Sequence, residues 1–204
     1  MRSSTKPYDV HFWVQSGHSS GQSPLLLLPD LPVATIKGVV KTPVIVACAG
    51  AARRLTFDYV AILPRHLEHV PLIARCIPDL RIVIDHLGKP PIVTKKFEPW
   101  SSLLACAARM PNVFAKVTGL DIDDASNWTA ADIAPYVDRA LDLFGPERLM
   151  FGSDWPVANL RGGYNKVWRE TNLALARLSS DERDRILGGT AIEFYRLPII
   201  APSP

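Results

Sequence analysis

A chain of 204 residues, 48% of them hydrophobic, can bury a real core, and its length suggests one domain or at most two. The balance of 23 basic against 20 acidic residues leaves a formal charge of +3; the basic residues are scattered rather than striped, which argues against a nucleic-acid partner. "PLLLLPDLP" (24–32) is too short and proline-broken for a signal core or membrane span, and Cys48, Cys76 and Cys106 form no CxxC pair, so the expectation is a cytoplasmic protein off the membrane with its cysteines buried as small hydrophobes.

The first 54 residues offer a turn-rich loop, "GHSSGQSP", and a helix predicted over 43–55, but no βα series. From residue 55 the pattern alternates. "LTFDYVAIL" (55–63) reads as a strand, and "HLEHVPLIARCI" (66–77) as a helix with Leu67, Val70, Ala74 and Ile77 on one face. "LRIVIDHLG" (80–88) is a strand, "PWSSLLACAARM" (99–110) a helix, and "NVFAKVTGL" (112–120) a strand. Thr129 with Asp132 resembles a capping box ahead of a helix over 129–144. "RLMFGSDW" is the fourth strand. A helix over 163–178 follows, with Tyr164, Val167, Trp168, Thr171, Leu175 and Leu178 on its apolar face. Ser179 with Glu182 caps a further helix, which Gly188–Gly189 should break before "TAIEFYRL".

Four βα units whose strands are nearly continuous apolar runs indicate a parallel sheet covered by helices. A doubly wound open sheet and a (β/α)8 barrel both fit. No GxGxxG or GxxxxGKS follows a strand, which weakens a nucleotide-binding reading. A barrel needs about 250 residues and eight strands. The expectation is therefore an α/β chain holding the last four units of a (β/α)8 TIM barrel (residues 55–204) behind an abbreviated N-terminal segment (1–54).

Parallel α/β folds place chemistry at the C-terminal ends of their strands. Those ends carry Asp85, His86 and Lys89 after the second predicted strand, Lys116 in the third, and Asp154 after the fourth. Strand alternation sends Asp85 and His86 to opposite faces, so only one is expected to face the interior. An Asp and a His at the mouth suit hydrolysis: the Asp takes a proton from water and returns it to the leaving group, while the His binds a metal or polarises a carbonyl. The residues by themselves leave a plainer reading open, in which Asp154 caps a loop and His86 is a satisfied, half-buried histidine.

"FDYVAILPRHL", "PDLRIVIDHLGKPPI", "MPNVFAKVTGL", "FGPERLMFGSDWPV" and "AIEFYRL" together resemble the amidohydrolase-related family 2 proteins over roughly residues 55–197. These are metal-dependent-hydrolase-like barrels that include sugar-lactone hydrolases and 2-pyrone-4,6-dicarboxylate lactonase. The resemblance implies a hydrolase that opens a small lactone or sugar-acid ester with water. It makes Asp154 the general acid/base and gives His86 contact with metal or substrate carbonyl. Lys116 matches a family lysine that either binds substrate or forms a strand-end ion pair. Trp155 walls the pocket or packs under a loop; Arg65 holds a substrate carboxylate or lies on the surface. His66 and His69 are expected on a helix face outside the site.

The family's first strand has the form D-x-H-x-H-x-W. "YDVHFW" offers only His11 of that pair, so the implied metal set is His11 with His86, around a divalent metal such as Zn or Mn, or none. Residues 14–54 cannot hold three further βα units at roughly 30 residues each. Open strand edges invite pairing, so the expected partner beyond the small substrate is a second copy of the chain. The alternative is a truncated, catalytically impaired remnant that at most binds. A metal-dependent nuclease is the third reading, disfavoured by the missing basic stripe and the missing HxH pair.

Overall fold

The computed structural model describes residues 56–120 and 127–198. The predicted segment 1–54, with His11 and the helix predicted over 43–55, lies outside the described residues, as does Cys48. Four strands, β1 (Thr56–Val60), β2 (Arg81–Asp85), β3 (Val113–Val117) and β4 (Leu149–Phe151), form one parallel sheet in the order β1-β2-β3-β4. Between them run α1 (Pro64–Leu67), α2 (His69–Cys76), α3 (Trp100–Ala108) and α4 (Ala130–Phe144); α5 (Gly163–Ala174), α6 (Ser180–Asp184) and α7 (Thr190–Tyr195) follow β4. Neighbouring strands that pair sequentially and in parallel, each crossing over through helices, build a section of an α/β barrel wall. Among the described residues no helix is long and apolar enough to cross a membrane.

The register sorts side chains onto two faces. Tyr59 pairs with Ile84, Ile84 with Ala115 and Ala115 with Leu149, so these share one face, buried under the helices with Phe57, Ile82, Val113 and Val117. Asp58 pairs with Val83, Val83 with Phe114, and Lys116 with Met150, so these share the other. The helix side is the main core; Leu67, Val70, Ile73, Trp100, Leu104, Ile133, Val137 and Ala140 pack onto it. Two caps act as their spacing predicts. The Thr129 N–H donates to Asp132 Oδ2 (2.9 Å) at the start of α4, and the Ser179 N–H donates to Glu182 Oε2 (2.9 Å) ahead of α6.

Two polar side chains fasten the N-terminal end of the sheet. Asn112, just before β3, donates to the carbonyls of Ala74, Ile77 and Leu80. Arg148, just before β4, donates to Ala108, Met110, Val113 and Leu143, and burial pushes its pKa down. Each satisfies carbonyls that the ends of helices and strands leave open.

Several expectations need correction. The predicted helix over 66–77 is two short helices meeting at Glu68, and α5 ends at Ala174 rather than running to 178. Tyr164 and Trp168 stack on the exposed side of α5, because only the Val167, Thr171, Ala174 stripe meets the core. Cys76 and Cys106 are exposed free thiols rather than core residues. Gly188–Gly189 do not break the chain into separate helices. A π-helical turn, Arg185–Gly189, joins α6 to α7, and the wider turn accommodates both glycines without interruption.

That junction aims α7 at the face of the sheet opposite the main helix layer. Phe194 packs there with Val83, Phe114 and Met150, its ring 4.8 Å from that of Phe114. The Arg81 guanidinium stands 5.5 Å over the Phe194 ring and donates to the Glu193 carbonyl (3.2 Å). The last helix thus fills the inner side of the wall from within the same chain.

Candidate active site

The site is built where β2, β3 and β4 end. β2 closes on Asp85, and the chain turns at once through His86, Leu87 and Lys89, all with left-handed backbone (φ +55°, +48° and +55°). The Lys89 N–H bonds the His86 carbonyl (2.8 Å), closing the turn. Trp100, fully buried in α3, pins it from below by donating to the Leu87 carbonyl at 2.7 Å. Asp154, three residues past β4, is left-handed as well (φ +56°). Non-glycine residues held at positive φ concentrate where surrounding structure over-determines them, and functional sites are such places.

His86 is half-buried. Its Nδ1 is buried without a hydrogen-bond partner and lies against Gly119, where a Cβ would overlap it. Burial, then Lys89, hold the His86 pKa below the ordinary histidine value; Asp85 and Asp154 pull the other way. The imidazole is therefore neutral at neutral pH. Asp154 and His86 feel each other's charge, yet no hydrogen bond or ion pair joins them, and among the described residues none engages the Asp154 carboxylate. The extended strand ends at Asp85, whose carboxylate pairs with Lys116, and the charges of Asp85 and Asp154 both bear on His86 in the left-handed turn that follows.

Lys116, on the inner face of β3, has its Nζ 2.6 Å from Asp58 Oδ2 and 2.9 Å from Asp85 Oδ1. Tyr195 of α7 donates to the same Asp58 oxygen at 2.8 Å. Burial opposes charge on Lys116, but the attraction of Asp85 and Asp58 overrides it and holds its pKa above the ordinary lysine value. Burial first, and the Asp58 charge second, raise the Tyr195 phenol. Lys116 is thus ion-paired to both carboxylates. Asp58 and Tyr195 were missed in the sequence. Asp58 left a signal, a carboxylate alternating with Phe57 and Tyr59; Tyr195 left none, because its partner lies 137 positions away. Gly152 lets the end of β4 approach β3: a Cβ there would meet Thr118 at 3.0 Å, and its N–H bonds the Val117 carbonyl at 3.2 Å.

The remaining predicted residues lie further out. Arg65 is exposed on α1, where its charge bears on His66. Trp155 is 68% exposed on the loop after β4, its N–H bonded to Ser153 Oγ. His66 and His69 stack on each other on α1 and α2, with His69 Nδ1 3.3 Å from the Tyr59 hydroxyl.

The sequence profile of the Amidohydrolase family matches residues 7–197. The chain belongs to this family. It is 39% identical over 154 residues to an L-fucono-1,5-lactonase of Burkholderia ambifaria, an alignment covering 73% of this chain and 52% of that protein. It is 26% identical over 141 residues to an L-rhamnono-gamma-lactonase of Scheffersomyces stipitis, covering 59% of this chain and 42% of the relative. A solved amidohydrolase from Burkholderia multivorans with bound zinc superposes with a TM-score of 0.68 at 34% identity, covering 76% of this chain and 57% of that one. The chain spans about half the length of the curated relatives it matches.

Family members are typically metal-dependent, and zinc is bound in that solved relative. Here, among the described residues, no group of three His, Cys, Asp or Glu side chains could hold a metal ion. Asp58 and Asp85 are tied to Lys116, and the orphaned Nδ1 of His86 faces Gly119. The described residues do not by themselves fit a metal centre; His11, the other predicted ligand, lies outside them.

Proposed function

We propose that the chain acts in the hydrolysis of a small lactone, with Asp154 as the proton carrier and His86 as the group that meets the carbonyl. The observation that carries this reading is an unengaged carboxylate and a neutral imidazole. Each sits in a left-handed turn after a strand end, the Asp154 charge bears on His86, and Asp154 has no side-chain partner among the described residues. Water would sit between them. Asp154 accepts a proton as the water oxygen bonds to the carbonyl carbon. It then returns that proton to the ring oxygen as the C–O bond breaks, giving a hydroxy acid. With Nδ1 buried against Gly119, Nε2 is the imidazole edge left for the carbonyl oxygen. Lys116, Trp155 and Arg65 belong to this proposal as outer groups. Lys116 stays ion-paired to Asp58 and Asp85, and Trp155 and Arg65 are the exposed groups offered to a substrate. The unpaired, exposed Cys76 and Cys106 support a reducing, cytoplasmic setting.

The names of the relatives make L-fucono-1,5-lactone the first substrate to try. Asp154→Asn is expected to lower acid release from it by about 10²–10⁴-fold with the melting temperature unchanged, the range a positioned general base contributes. Turnover within tenfold of the parent chain in that variant would exclude Asp154 as the base.

A further inference from the structure

Thr118 takes no part in the proton transfers at Asp154, yet the fold sets it between the two reacting side chains. It follows β3, the strand that lies between β2 and β4, so it stands between the turn that carries His86 and the loop that carries Asp154. The Gly152 N–H bonds the Val117 carbonyl at 3.2 Å, which carries the β3–β4 ladder one position further and sets Thr118 against Gly152. Lys116 and Met150 are the preceding pair on the inner face, and Thr118 with Gly152 continues it. Contact agrees with register: a Cβ on Gly152 would stand 3.0 Å from Thr118 Cβ and 3.1 Å from its Oγ1. On the other side Gly119, next in the chain, is the residue against which the His86 ring rests. Thr118 is 5% exposed, yet among the described residues no hydrogen bond engages its hydroxyl. A nearly buried hydroxyl left unpaired is costly, and native structures keep few of them. The oxygen is not walled in as His86 Nδ1 is, so it keeps a narrow opening through which it can meet a small polar molecule.

We propose that Thr118 is a further catalytic residue: its Oγ1 accepts a hydrogen bond from the attacking water and so aims the water's lone pair at the lactone carbonyl. The proposal deepens the lactonase reading and rests on it. Asp154 takes one hydrogen of the water, and a water held by that bond alone turns about it. A second acceptor on the second hydrogen fixes its orientation, which is where much of the gain from positioning lies. His86 Nε2 meets the carbonyl oxygen and Asp85 is paired with Lys116, so the hydroxyl on the strand between them is the acceptor that the sheet offers. No proton passes to Thr118, which keeps its own throughout. Gly152 gains a reason as well, because any side chain there would crowd the hydroxyl against which it lies.

Steady-state kinetics of the full chain on L-fucono-1,5-lactone, with melting temperatures alongside, tests it. Thr118→Val exchanges the hydroxyl for a methyl group of similar shape. It should lower kcat about tenfold or more and leave KM within about twofold, because the lost bond is made to the water and not to the lactone. Thr118→Ser, which keeps the hydroxyl, should restore most of the lost kcat. The melting temperature of Thr118→Val should equal or exceed that of the parent chain, since an unpaired hydroxyl leaves a nearly buried place. A hydroxyl that only held the strand ends together would do the reverse, lowering the melting temperature and sparing kcat. Parental kcat in Thr118→Val, a rise in KM with kcat unchanged, or a loss that Thr118→Ser does not restore overturns the proposal and leaves the lactonase reading standing. A parent chain that opens no lactone would discard both together.

Discussion

Gly119→Ala tests the seat of His86. A Cβ at residue 119 would stand 2.9 Å from His86 Cγ and 3.0 Å from Cε1, with Nδ1 nearer still. Carbon atoms settle at about 3.5–4.0 Å, so the ring must withdraw by about 1 Å. The backbone cannot yield easily, since Gly119 and His86 both sit at φ +55°. Left-handed backbone costs a residue with a Cβ about 1–2 kcal/mol. Gly145→Ala supplies the steric comparison, because that glycine also has positive φ (+64°, with ψ 171°, a region kept for glycine) but has nothing within 4 Å of its Cβ position. Both variants should lower the melting temperature, Gly119→Ala by about 2–8 °C from its backbone alone, at roughly 2–4 °C per kcal/mol for a chain of this size. Only Gly119→Ala should move the His86 imidazole resonances in a ¹H–¹⁵N spectrum. Only it should lower kcat for lactone opening, by about 100-fold if a 1 Å misplacement has its usual effect. Unmoved His86 resonances with parental turnover in Gly119→Ala would refute the idea that this glycine fixes the ring.

Two further outcomes follow from the buried charges. Lys116→Met removes the one cation between Asp58 and Asp85, whose side chains are 14% and 15% exposed. Stranding buried carboxylates costs about 3–5 kcal/mol, and the residual exposure here favours the lower end, so urea denaturation should show a loss of about 3 kcal/mol. A loss under about 1 kcal/mol, the size of one neutral hydrogen bond, would mean the carboxylates find other partners. His86 supplies a pH dependence. Its folded pKa lies below the unfolded one, so the unfolded chain binds more protons between the two and stability rises with pH there. Stability should therefore be level above roughly pH 6.5 and fall below it, at up to about 1.4 kcal/mol per pH unit. His86→Gln should flatten that fall, apart from what His66, lowered by burial and Arg65, contributes in the same sense. An unchanged slope would show that His86 protonates without penalty.

What was legible in the sequence was what depends on near neighbours. The nearly continuous apolar runs placed all four strands, and the Thr129–Asp132 and Ser179–Glu182 spacings placed two helix starts, because both signals are complete within a few residues. What failed depended on distant partners or on backbone torsion. Gly188–Gly189 read as a break, yet the π-helical turn there exists because α7 must reach Val83 and Met150 on the inner face. The left-handed turn that begins at His86 was not legible either, because no local residue type announces positive φ at a histidine. Cys76 and Cys106 look like core residues by type, but lie on the outer sides of α2 and α3.

The motif residues that carried the family resemblance divide by position along the strands, and the division has physical content. Asn112 and Arg148 stand before β3 and β4 and spend their donors on backbone carbonyls, so their replacement should cost stability without touching chemistry. His86, Lys89 and Asp154 stand after β2 and β4 in left-handed turns, and the buried His86 Nδ1 has no partner among the described residues, which is costly unless something else meets it. Lys116 lies between, paired with Asp58 and Asp85, and Arg81, over Phe194 on the same inner face, balances the second carboxylate. With Lys116 already matched by two carboxylates, a lactone that placed a further carboxylate against it should bind more weakly than its neutral counterpart.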